Sequence, residues 1–234
     1  MDHLCDPPPI CWDDVMAAPL RILVFGKQGS GKGTLATRLH ARLLLPHIST
    51  GDMLRAAAAS GSEFGQRVAA IMDAGELVSD EVMEGVVEER LNAPDAADGF
   101  ILDGYPRTPG QAAFLDELLL PDGISIAIEL QVADDVVRGR IVNRRVCTSC
   151  GAIYAAGRDE SAETGVCAAC GGTVIQRDDD TEEAVGARLA TYAQLTEPLL
   201  EYYEDRGLLE RILGEGDPEA IADGAVALIE PRRG

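Results

Sequence analysis

A glycine-rich segment that contains both lysines of the chain is the first stretch whose residues suggest a chemistry. Residues 26–34 are Gly-Lys-Gln-Gly-Ser-Gly-Lys-Gly-Thr, and they follow a short apolar run and precede a helix-like pattern. Glycines let backbone N–H groups converge on phosphate oxygens, and a helix N-terminus adds partial positive charge. Lys32 can then reach β- and γ-phosphates, with Thr34 near the β-phosphate or Mg²⁺. The segment predicts a phosphate-binding loop; the alternative is a Gly-rich turn without a ligand.

An aspartate at the end of a second apolar run is a candidate metal ligand. Residues 100–103 are Phe-Ile-Leu-Asp, and Gly104 breaks the run. A carboxylate at the carboxyl end of a buried strand, beside the strand that leads into a phosphate loop, can hold Mg²⁺ through water. Asp103 can also be a solvated turn residue, but the neighbouring phosphate loop favours the metal role.

The charge balance excludes several classes of partner. The chain has 40 acidic and 20 basic residues and a net charge of −20 at pH 7. Such a surface repels nucleic acid and anionic membranes, so we expect neither as a partner. We also expect no membrane span, because no run of 18 apolar residues occurs. Residues 1–14 lack the basic and apolar regions of a signal peptide, which predicts a cytoplasmic protein.

Four cysteines form two matching pairs. Cys147 and Cys150 make one Cys-x-x-Cys pair, and Cys167 and Cys170 make the other, each followed by glycine. Four thiolates at this spacing suit tetrahedral Zn²⁺. Disulfides are disfavoured because the sequence does not predict export. No coordination position would stay open, so the pattern predicts a structural zinc site. The minor alternatives are iron, or four incidental thiols.

Strands and helices alternate along the chain, which places these motifs. We predict strands at residues 21–25, 100–103, 124–130 and 208–213. We predict helices at residues 34–45, 53–59, 111–120, 134–145, 181–206 and 218–229, and two more that begin after Ser62 and Ser79. Buried strands alternating with helices indicate an α/β fold, a parallel sheet wrapped by helices. The Pro-rich residues 1–19, with Cys5 and Cys11, are predicted to be a disordered tail.

Five motifs in a fixed order resemble those of the adenylate kinase family, in its zinc-binding form with a long lid. They are residues 26–34, which end in Gly-Lys-Gly-Thr; 49–55, Ser-Thr-Gly-Asp-Met-Leu-Arg; 103–108, Asp-Gly-Tyr-Pro-Arg-Thr, with Gln111; 140–146; and 176–179, with Arg188. The resemblance runs from about residue 21 to about residue 203. It implies a P-loop NTPase-like fold with an AMP-binding helical insert and a zinc-binding lid. One departure is Gln28, where many members have proline, which stiffens the loop more.

The resemblance also implies roles for individual residues. ATP contacts are implied for Gly29, Ser30, Gly31, Lys32, Gly33, Thr34, Arg144, Ile153, Tyr154 and Gly216. AMP contacts are implied for Thr50, Arg55, Glu76, Leu77, Val78, Gly104, Arg107, Gln111, Arg177 and Arg188. The implied catalytic set is Lys32, Asp103, Arg107, Arg140, Arg144, Arg177 and Arg188, with Mg²⁺ held by Asp103 through water.

The implied reaction, transfer of a phosphoryl group from ATP to AMP, needs cations rather than a general base. A phosphate monoester is already an anionic nucleophile, and none of His3, His40 and His47 lies in a motif. Planar guanidinium groups suit the equatorial oxygens of the transferring group. The amide of Gln111 offers both a donor and an acceptor to an adenine edge, which favours AMP as the acceptor. Outside the motifs, Arg21, Arg38 and Arg158 are expected in surface salt bridges.

The chain is predicted to be one kinase unit, residues 20–234, after the tail. Its core would comprise residues 20–48, 79–142 and 181–234, with the AMP-binding insert at 49–78 and the lid at 143–180. We expect a monomer that binds ATP, AMP and ADP, with Zn²⁺ in the lid and Mg²⁺ on ATP. Three alternatives stay open: a kinase for UMP, CMP or GMP, a zinc-knuckle protein that binds nucleotide or nucleic acid, and a nucleotide sensor without turnover.

Overall fold

The strands form two separate sheets. The computed structural model describes residues 18–74, 76–177 and 180–233, so the predicted tail lies almost wholly outside the described residues. The strands are β1 (Leu20–Phe25), β2 (His47–Ser49), β3 (Gly99–Asp103), β4 (Ile126–Gln131), β5 (Arg144–Cys147), β6 (Ile153–Ala155), β7 (Val174–Ile175) and β8 (Leu209–Leu213). The larger sheet has the order β2-β3-β1-β4-β8, and all its pairs are parallel. The predicted α/β fold is therefore confirmed.

The described residues contain ten α-helices. They are α1 (Lys32–Leu43), α2 (Thr50–Ala59), α3 (Glu63–Asp73), α4 (Asp80–Leu91), α5 (Pro109–Leu118), α6 (Asp134–Val142), α7 (Glu160–Thr164), α8 (Glu182–Thr191), α9 (Glu197–Glu204) and α10 (Pro218–Ile229). Ser62 precedes α3 as predicted and caps it, because its Oγ accepts from the backbone N–H of Gly65 at 3.0 Å. Ser79 precedes α4 as predicted, but its hydroxyl makes no capping hydrogen bond.

The parallel sheet is apolar on both faces, as a sheet covered by helices must be. Leu23 and Leu102 belong to one buried cluster, which the helices after β2 and β3 and helix α9 complete. Ile22 and Ile101 belong to a second cluster, with residues of α1 and α10. Burial on both faces fixes the strands, and with them the loops at their carboxyl ends, where the predicted site residues begin.

The predicted long helix at 181–206 contains a wider turn. Helices α8 and α9 are joined by a π-helical segment, Tyr192–Thr196, in which the N–H of Glu197 donates to the carbonyl of Tyr192. Pro198 has no N–H, so it cannot make the usual α-helical hydrogen bond to Gln194. The segment from 182 to 204 is helical throughout, but it is not one regular α-helix.

The smaller sheet belongs to the cysteine-containing segment. It has the antiparallel order β6-β5-β7, and the short helix α7 packs against it. Its apolar cluster is small and consists of Cys147, Cys167 and Val174, with Ala152 and Tyr154 beside them. Helix α6 ends at Val142, not at 145 as predicted, because β5 begins at Arg144. The division into core, insert and lid stays a prediction.

Within the part of the chain that the structure describes, no helix is both long and apolar enough to cross a membrane.

Candidate active site

The loop between β1 and α1 has the backbone conformation of a phosphate cradle. Gly26 and Gly31 have φ values of 143° and 102°, which side-chain-bearing residues rarely adopt. A Cβ at Gly26 would lie 2.7 Å from Ser30 Oγ and 2.9 Å from the carbonyl of Leu130, so only glycine fits there. Helix α1 has no acidic residue in its first turn. Its N-terminus is therefore free of competing negative charge and suits an anion.

Lys32, the first residue of α1, extends back over this loop. Its Nζ donates to the carbonyls of Gly26 at 2.7 Å and Lys27 at 2.9 Å. The pKa of Lys32 is lowered to about 8: burial is the largest cause, Asp103 opposes it, and Arg107 and Arg144 add to the lowering. An ammonium group so close to other cations is stabilised by a bound polyanion such as triphosphate.

Asp103 lies where the sequence predicted, at the carboxyl end of β3. It is the register partner of Val24 in β1, the strand that leads into the phosphate loop. Its Oδ2 lies 3.6 Å from His47 Nε2, and a Cβ on Gly33 would lie at the same distance from it. The carboxylate thus faces the first turn of α1 and is almost fully buried. A hard cation bound to nucleotide phosphates would find an oxygen ligand here.

A group of arginines meets beside Asp103. The Nε of Arg107 donates to the carbonyl of Gly104 at 2.7 Å, which fixes the plane of the guanidinium group. Burial lowers the pKa of Arg107, Asp103 raises it, and Arg188 and Arg55 lower it again. A guanidinium stays charged despite such shifts. Like charges brought this close are stabilised by an anion between them, such as the phosphate of a monophosphate nucleotide.

Arg144 is held by a carboxylate that the sequence analysis did not single out. It forms a bidentate salt bridge with Asp180, in which its Nε lies 2.9 Å from Asp180 Oδ2. The side chain of Asp180 is fully buried. Gln28 in the phosphate loop donates to the same carboxylate at 3.3 Å. Asp180 therefore links the beginning of β5, the segment before α8 and the phosphate loop.

Arg140 and Arg188 contact backbone carbonyls of distant segments. Arg140 donates to the carbonyls of Ser30, at 3.1 Å, and Gly214, at 3.0 Å, so it joins the phosphate loop to the segment after β8. Arg188 of α8 donates to the carbonyl of Met72 in α3 at 2.7 Å. Both arginines border the cleft described below, although in this structure each holds protein atoms together.

The N-terminus of α2 brings an acidic side chain among the arginines. Asp52 forms an ion pair with Arg55, and its Oδ1 lies 3.9 Å from Nη2 of Arg177. Thr50, at the start of α2, donates to the carbonyls of Asp103 at 3.3 Å and Gly104 at 3.0 Å. These bonds tie α2 to the end of β3, so Thr50 and Gly104, both implied to contact AMP, lie side by side.

One cleft of about 960 Å³ collects the predicted nucleotide-binding residues. All 22 of them border it: Gly29, Ser30, Gly31, Lys32, Gly33, Thr34, Thr50, Arg55, Glu76, Leu77, Val78, Asp103, Gly104, Arg107, Gln111, Arg140, Arg144, Ile153, Tyr154, Arg177, Arg188 and Gly216. The parallel sheet supplies the floor through its carboxyl-end loops, and β6 and α2 supply parts of the walls. Residues spread over most of the chain therefore form one site.

Sequence reasoning missed several groups at this site. Asp180, Asp52 and His47 each touch a predicted residue, but the partners of Asp180 and His47 are not apparent from spacing along the chain. Asp52 lies three residues before Arg55 in a recognised motif, a spacing that can pair side chains on a helix. Arg21 and Arg38 form surface ion pairs with Asp122 and Glu219 as expected. Arg158 borders the cleft instead.

The four paired cysteines converge at one end of the smaller sheet. Their Sγ atoms all lie within 4.8 Å of one another, and the pairs Cys147–Cys170 and Cys150–Cys167 are 3.5 Å apart. Tetrahedral Zn–S bonds of about 2.3 Å require sulfur separations of about 3.8 Å. Gly151 and Gly171 have φ values of 74° and 72°, as expected for tight turns after each pair. The donor set and its geometry therefore fit Zn²⁺.

Comparisons with known proteins agree with this geometry. The family model described as "Adenylate kinase" matches residues 24–208. The chain is similar to the adenylate kinase of Thermodesulfovibrio yellowstonii, with 43% identity over 91% of this chain and 100% of the relative. It is 45% identical to that of Archaeoglobus fulgidus over 90% of this chain and 98% of the relative. It is 48% identical to that of Syntrophotalea carbinolica over 86% of this chain and 94% of the relative.

Proposed function

The chain belongs to the adenylate kinase family, and from that membership we propose that its cleft transfers the γ-phosphoryl group of ATP to AMP, reversibly, to give two ADP. The observation that carries the proposal is the single cleft, in which a phosphate loop faces a group of arginines. Two anionic nucleotides that must be aligned end to end need cations on both sides of the transferring group.

On the donor side, we assign the ATP phosphates to residues 29–34 and Arg144. The glycines of the loop let N–H groups face phosphate oxygens, and the Lys32 ammonium adds a full charge. Ile153, Tyr154 and Gly216 border the same cleft and would contact the rest of ATP. Arg140 donates to carbonyls of the loop and of the segment after β8, and these hydrogen bonds hold the donor loop in place.

On the acceptor side, we assign the AMP phosphate to Arg55, Arg107, Arg177 and Arg188. The lowered pKa of Arg107 reflects burial and the nearness of Arg55 and Arg188. Thr50 and Gly104 complete this wall, and Glu76, Leu77, Val78 and Gln111 border the cleft where the base would lie. No general base is required, because the attacking phosphate oxygen is already anionic.

Members of this family use Mg²⁺ with ATP, and the ion would be held near the β- and γ-phosphates by Asp103. When bound, it neutralises charge that develops on the phosphate oxygens. Asp103 keeps its carboxylate at the end of β3 through the sheet register, independently of any ligand. Lys32 and the arginines position and stabilise the transferring group from the other directions.

We assign Zn²⁺ to Cys147, Cys150, Cys167 and Cys170, in a structural role. Apart from the thiols, the apolar cluster of this segment contains only Val174, Ala152 and Tyr154. So small a core does not hold a segment together without a further cross-link. Residues 143–180 would form a lid that closes over ATP and keeps water from competing as the acceptor. Arg144, three residues before the first cysteine, belongs to this segment and borders the cleft.

An acceptor panel tests the proposal. ATP with Mg²⁺ is offered together with AMP, UMP, CMP or GMP, and nucleoside diphosphate formation is followed for each. We expect kcat/KM for AMP to exceed that for each of the other monophosphates by at least about two orders of magnitude, because a buried amide rejects bases that leave it unpaired. Faster turnover with UMP, CMP or GMP than with AMP would contradict the proposal.

A further inference from the structure

The amide of Gln111 is held by a carboxylate that lies outside the cleft lining. Asp80, the first residue of α4, accepts a hydrogen bond from Gln111 Nε2 through Oδ1 at 2.7 Å. Its Oδ2 accepts from Thr108 Oγ1, also at 2.7 Å. Thr108 is the N-cap of α5, the helix that carries Gln111. Asp80 therefore reaches Gln111 both directly and through the residue that caps its helix.

The other end of the same amide has a partner of opposite character. Gln111 Oε1 accepts from the backbone N–H of Arg107 at 2.8 Å. A flipped amide would place its oxygen against the Asp80 carboxylate and its NH₂ group against a backbone donor, so both contacts would become repulsive. Gln111 is only 2% exposed, so water does not compensate such a loss. The hydrogen-bond network thus identifies which end of the amide is oxygen.

Fixing the amide has a consequence for base recognition. One N–H of Gln111 Nε2 and one lone pair of Oε1 remain after the bonds to Asp80 and Arg107. Adenine carries a 6-amino group, which donates, whereas hypoxanthine and guanine carry a 6-oxo group, which accepts. A freely rotating amide could turn its oxygen or its nitrogen toward position 6 and satisfy either base. An amide fixed by its neighbours keeps its remaining N–H and its remaining lone pair at set positions, so it cannot exchange them to suit the other base.

We propose that Asp80 is a specificity-determining positioning residue: by fixing the orientation of the Gln111 amide, it makes the acceptor site select 6-aminopurine over 6-oxopurine monophosphates. The inference rests on the proposed transfer to AMP and adds the group that enforces it. Asp80 does not border the cleft and acts through Gln111. The charge of Asp80 matters because a reversed amide would turn its oxygen toward the carboxylate. An ionised carboxylate has no hydrogen to donate to that oxygen.

Asp80→Asn is the discriminating variant. Asparagine has nearly the same shape, but its own amide can offer either oxygen or nitrogen to Gln111, so the reversed orientation is no longer penalised at this contact. Asp80→Ser is a second variant that also removes the charge and suits the start of a helix. Glu81→Gln is the matched control, because Glu81 is an exposed carboxylate in the same first turn of α4.

The experiment compares kcat/KM for AMP, inosine monophosphate and GMP in the wild type and the three variants, with ATP saturating. In Asp80→Asn we expect kcat/KM for inosine monophosphate, relative to kcat/KM for AMP, to rise about tenfold. This factor corresponds to the loss of one charge-assisted hydrogen bond. Asp80→Ser should change the ratio in the same direction. Glu81→Gln should leave it at the wild-type value, and the KM for ATP should stay the same in all variants.

Thermal unfolding verifies that each variant is folded. A ratio that stays at the wild-type value in folded Asp80→Asn and Asp80→Ser would overturn the inference. An equal fall in kcat/KM for all three acceptors would also overturn the inference. It would assign Asp80 a purely structural role through Thr108. Failure of the proposed function would look different, since the wild-type protein itself would then not phosphorylate AMP.

Discussion

The charge on Lys32 depends on what occupies the cleft. Among the described residues its ammonium donates hydrogen bonds only to backbone carbonyls of the phosphate loop, and it shares the cleft with Arg107 and Arg144. Burial and these two arginines stabilise the neutral amine, whereas Asp103 stabilises the ammonium form. Nucleotide phosphates would add several negative charges at close range. Binding and protonation of Lys32 should therefore be linked.

We predict that ATP binding takes up protons above pH 8. The pKa of Lys32 is lowered to about 8 without nucleotide, and bound phosphates raise it because they favour the charged form. Below pH 7 the lysine is already protonated, so uptake from this group should vanish there. Calorimetry of ATP binding at pH 6.5 and 8.7, in buffers of different ionisation enthalpy, measures the uptake. Equal proton uptake at both pH values would contradict the prediction, and Lys32→Met should abolish the difference.

Arg107 should require its planar guanidinium and not only its charge. In Arg107→Lys the Nε bond to the carbonyl of Gly104 disappears, and so do parallel hydrogen bonds to phosphate oxygens. We expect kcat to fall by about 100-fold or more, which corresponds to about 3 kcal/mol of lost stabilisation. Steady-state kinetics with AMP measures this loss. Arg38→Lys is the control, because Arg38 pairs with Glu219 on the surface; a similar loss in both variants would refute the assignment.

Asp180 should matter for stability as well as for position. Its side chain is fully buried against Arg144, and removing one partner of a buried pair leaves the other charge uncompensated. Asp180→Ala should lower the free energy of unfolding by about 3 kcal/mol. Asp134→Ala removes the exposed partner of Lys27 and should cost less than about 1 kcal/mol. Urea unfolding compares the two, and equal losses would contradict the prediction.

At the scale of elements, the two sheets depend on different sources of stability. The parallel sheet lies between two extensive apolar clusters. The smaller sheet has strands of two to four residues and a core in which two of the three fully buried residues are cysteines. A metal bound by all four thiols would therefore be its principal cross-link. Loss of the metal should affect this sheet first.

We predict that chelation loosens residues 144–175 before any other part of the chain. Hydrogen exchange with and without a strong chelator should show increased exchange in β5, β6 and β7. Helices α2 and α3 are the internal control, because they pack on the main apolar cluster and contain no cysteine; their exchange should not change. Unchanged exchange in the smaller sheet after metal removal would refute the structural role of zinc.

The sequence predicted long, apolar elements better than short ones. The four predicted strands were found, although β4 begins two residues later than expected. Strand β2 was missed because three residues are too few to show a period of two, and it is held by pairing with β3. The strands around the cysteines were missed for the same reason. Their conformation depends on the turns formed by the two Cys-x-x-Cys pairs and not on local propensity.

The site residues that were predicted all border the cleft, although Asp52 was missed inside a recognised motif. Asp80 and Asp180 were not predicted, because each acts on a residue that lies far away in the sequence: Asp80 on Gln111, and Asp180 on Arg144. Only the packing of α4 against α5, and the approach of the segment before α8 to β5, brings these groups together. Spacing along a chain carries no signal for such pairs.

At the scale of the whole molecule, the cleft is a locally basic region in a strongly acidic protein. The net charge of −20 repels nucleotides in general. Lys32 and the arginines at the carboxyl edge of the parallel sheet reverse that sign locally, and they come from segments spread along the chain from α1 to α8. Phosphate binding is therefore confined to one place, which is what alignment of two nucleotides requires.

The most direct test of the central claim uses ADP as the only nucleotide. An enzyme that transfers a phosphoryl group between two adenine nucleotides must convert ADP with Mg²⁺ into equal amounts of ATP and AMP, and Arg107→Lys must slow this conversion strongly. A kinase with a separate pyrimidine or guanine acceptor has no second substrate in such a mixture. Formation of ATP and AMP in equal amounts is the predicted result. No ATP from ADP alone, with active transfer from ATP to another monophosphate, would contradict the account.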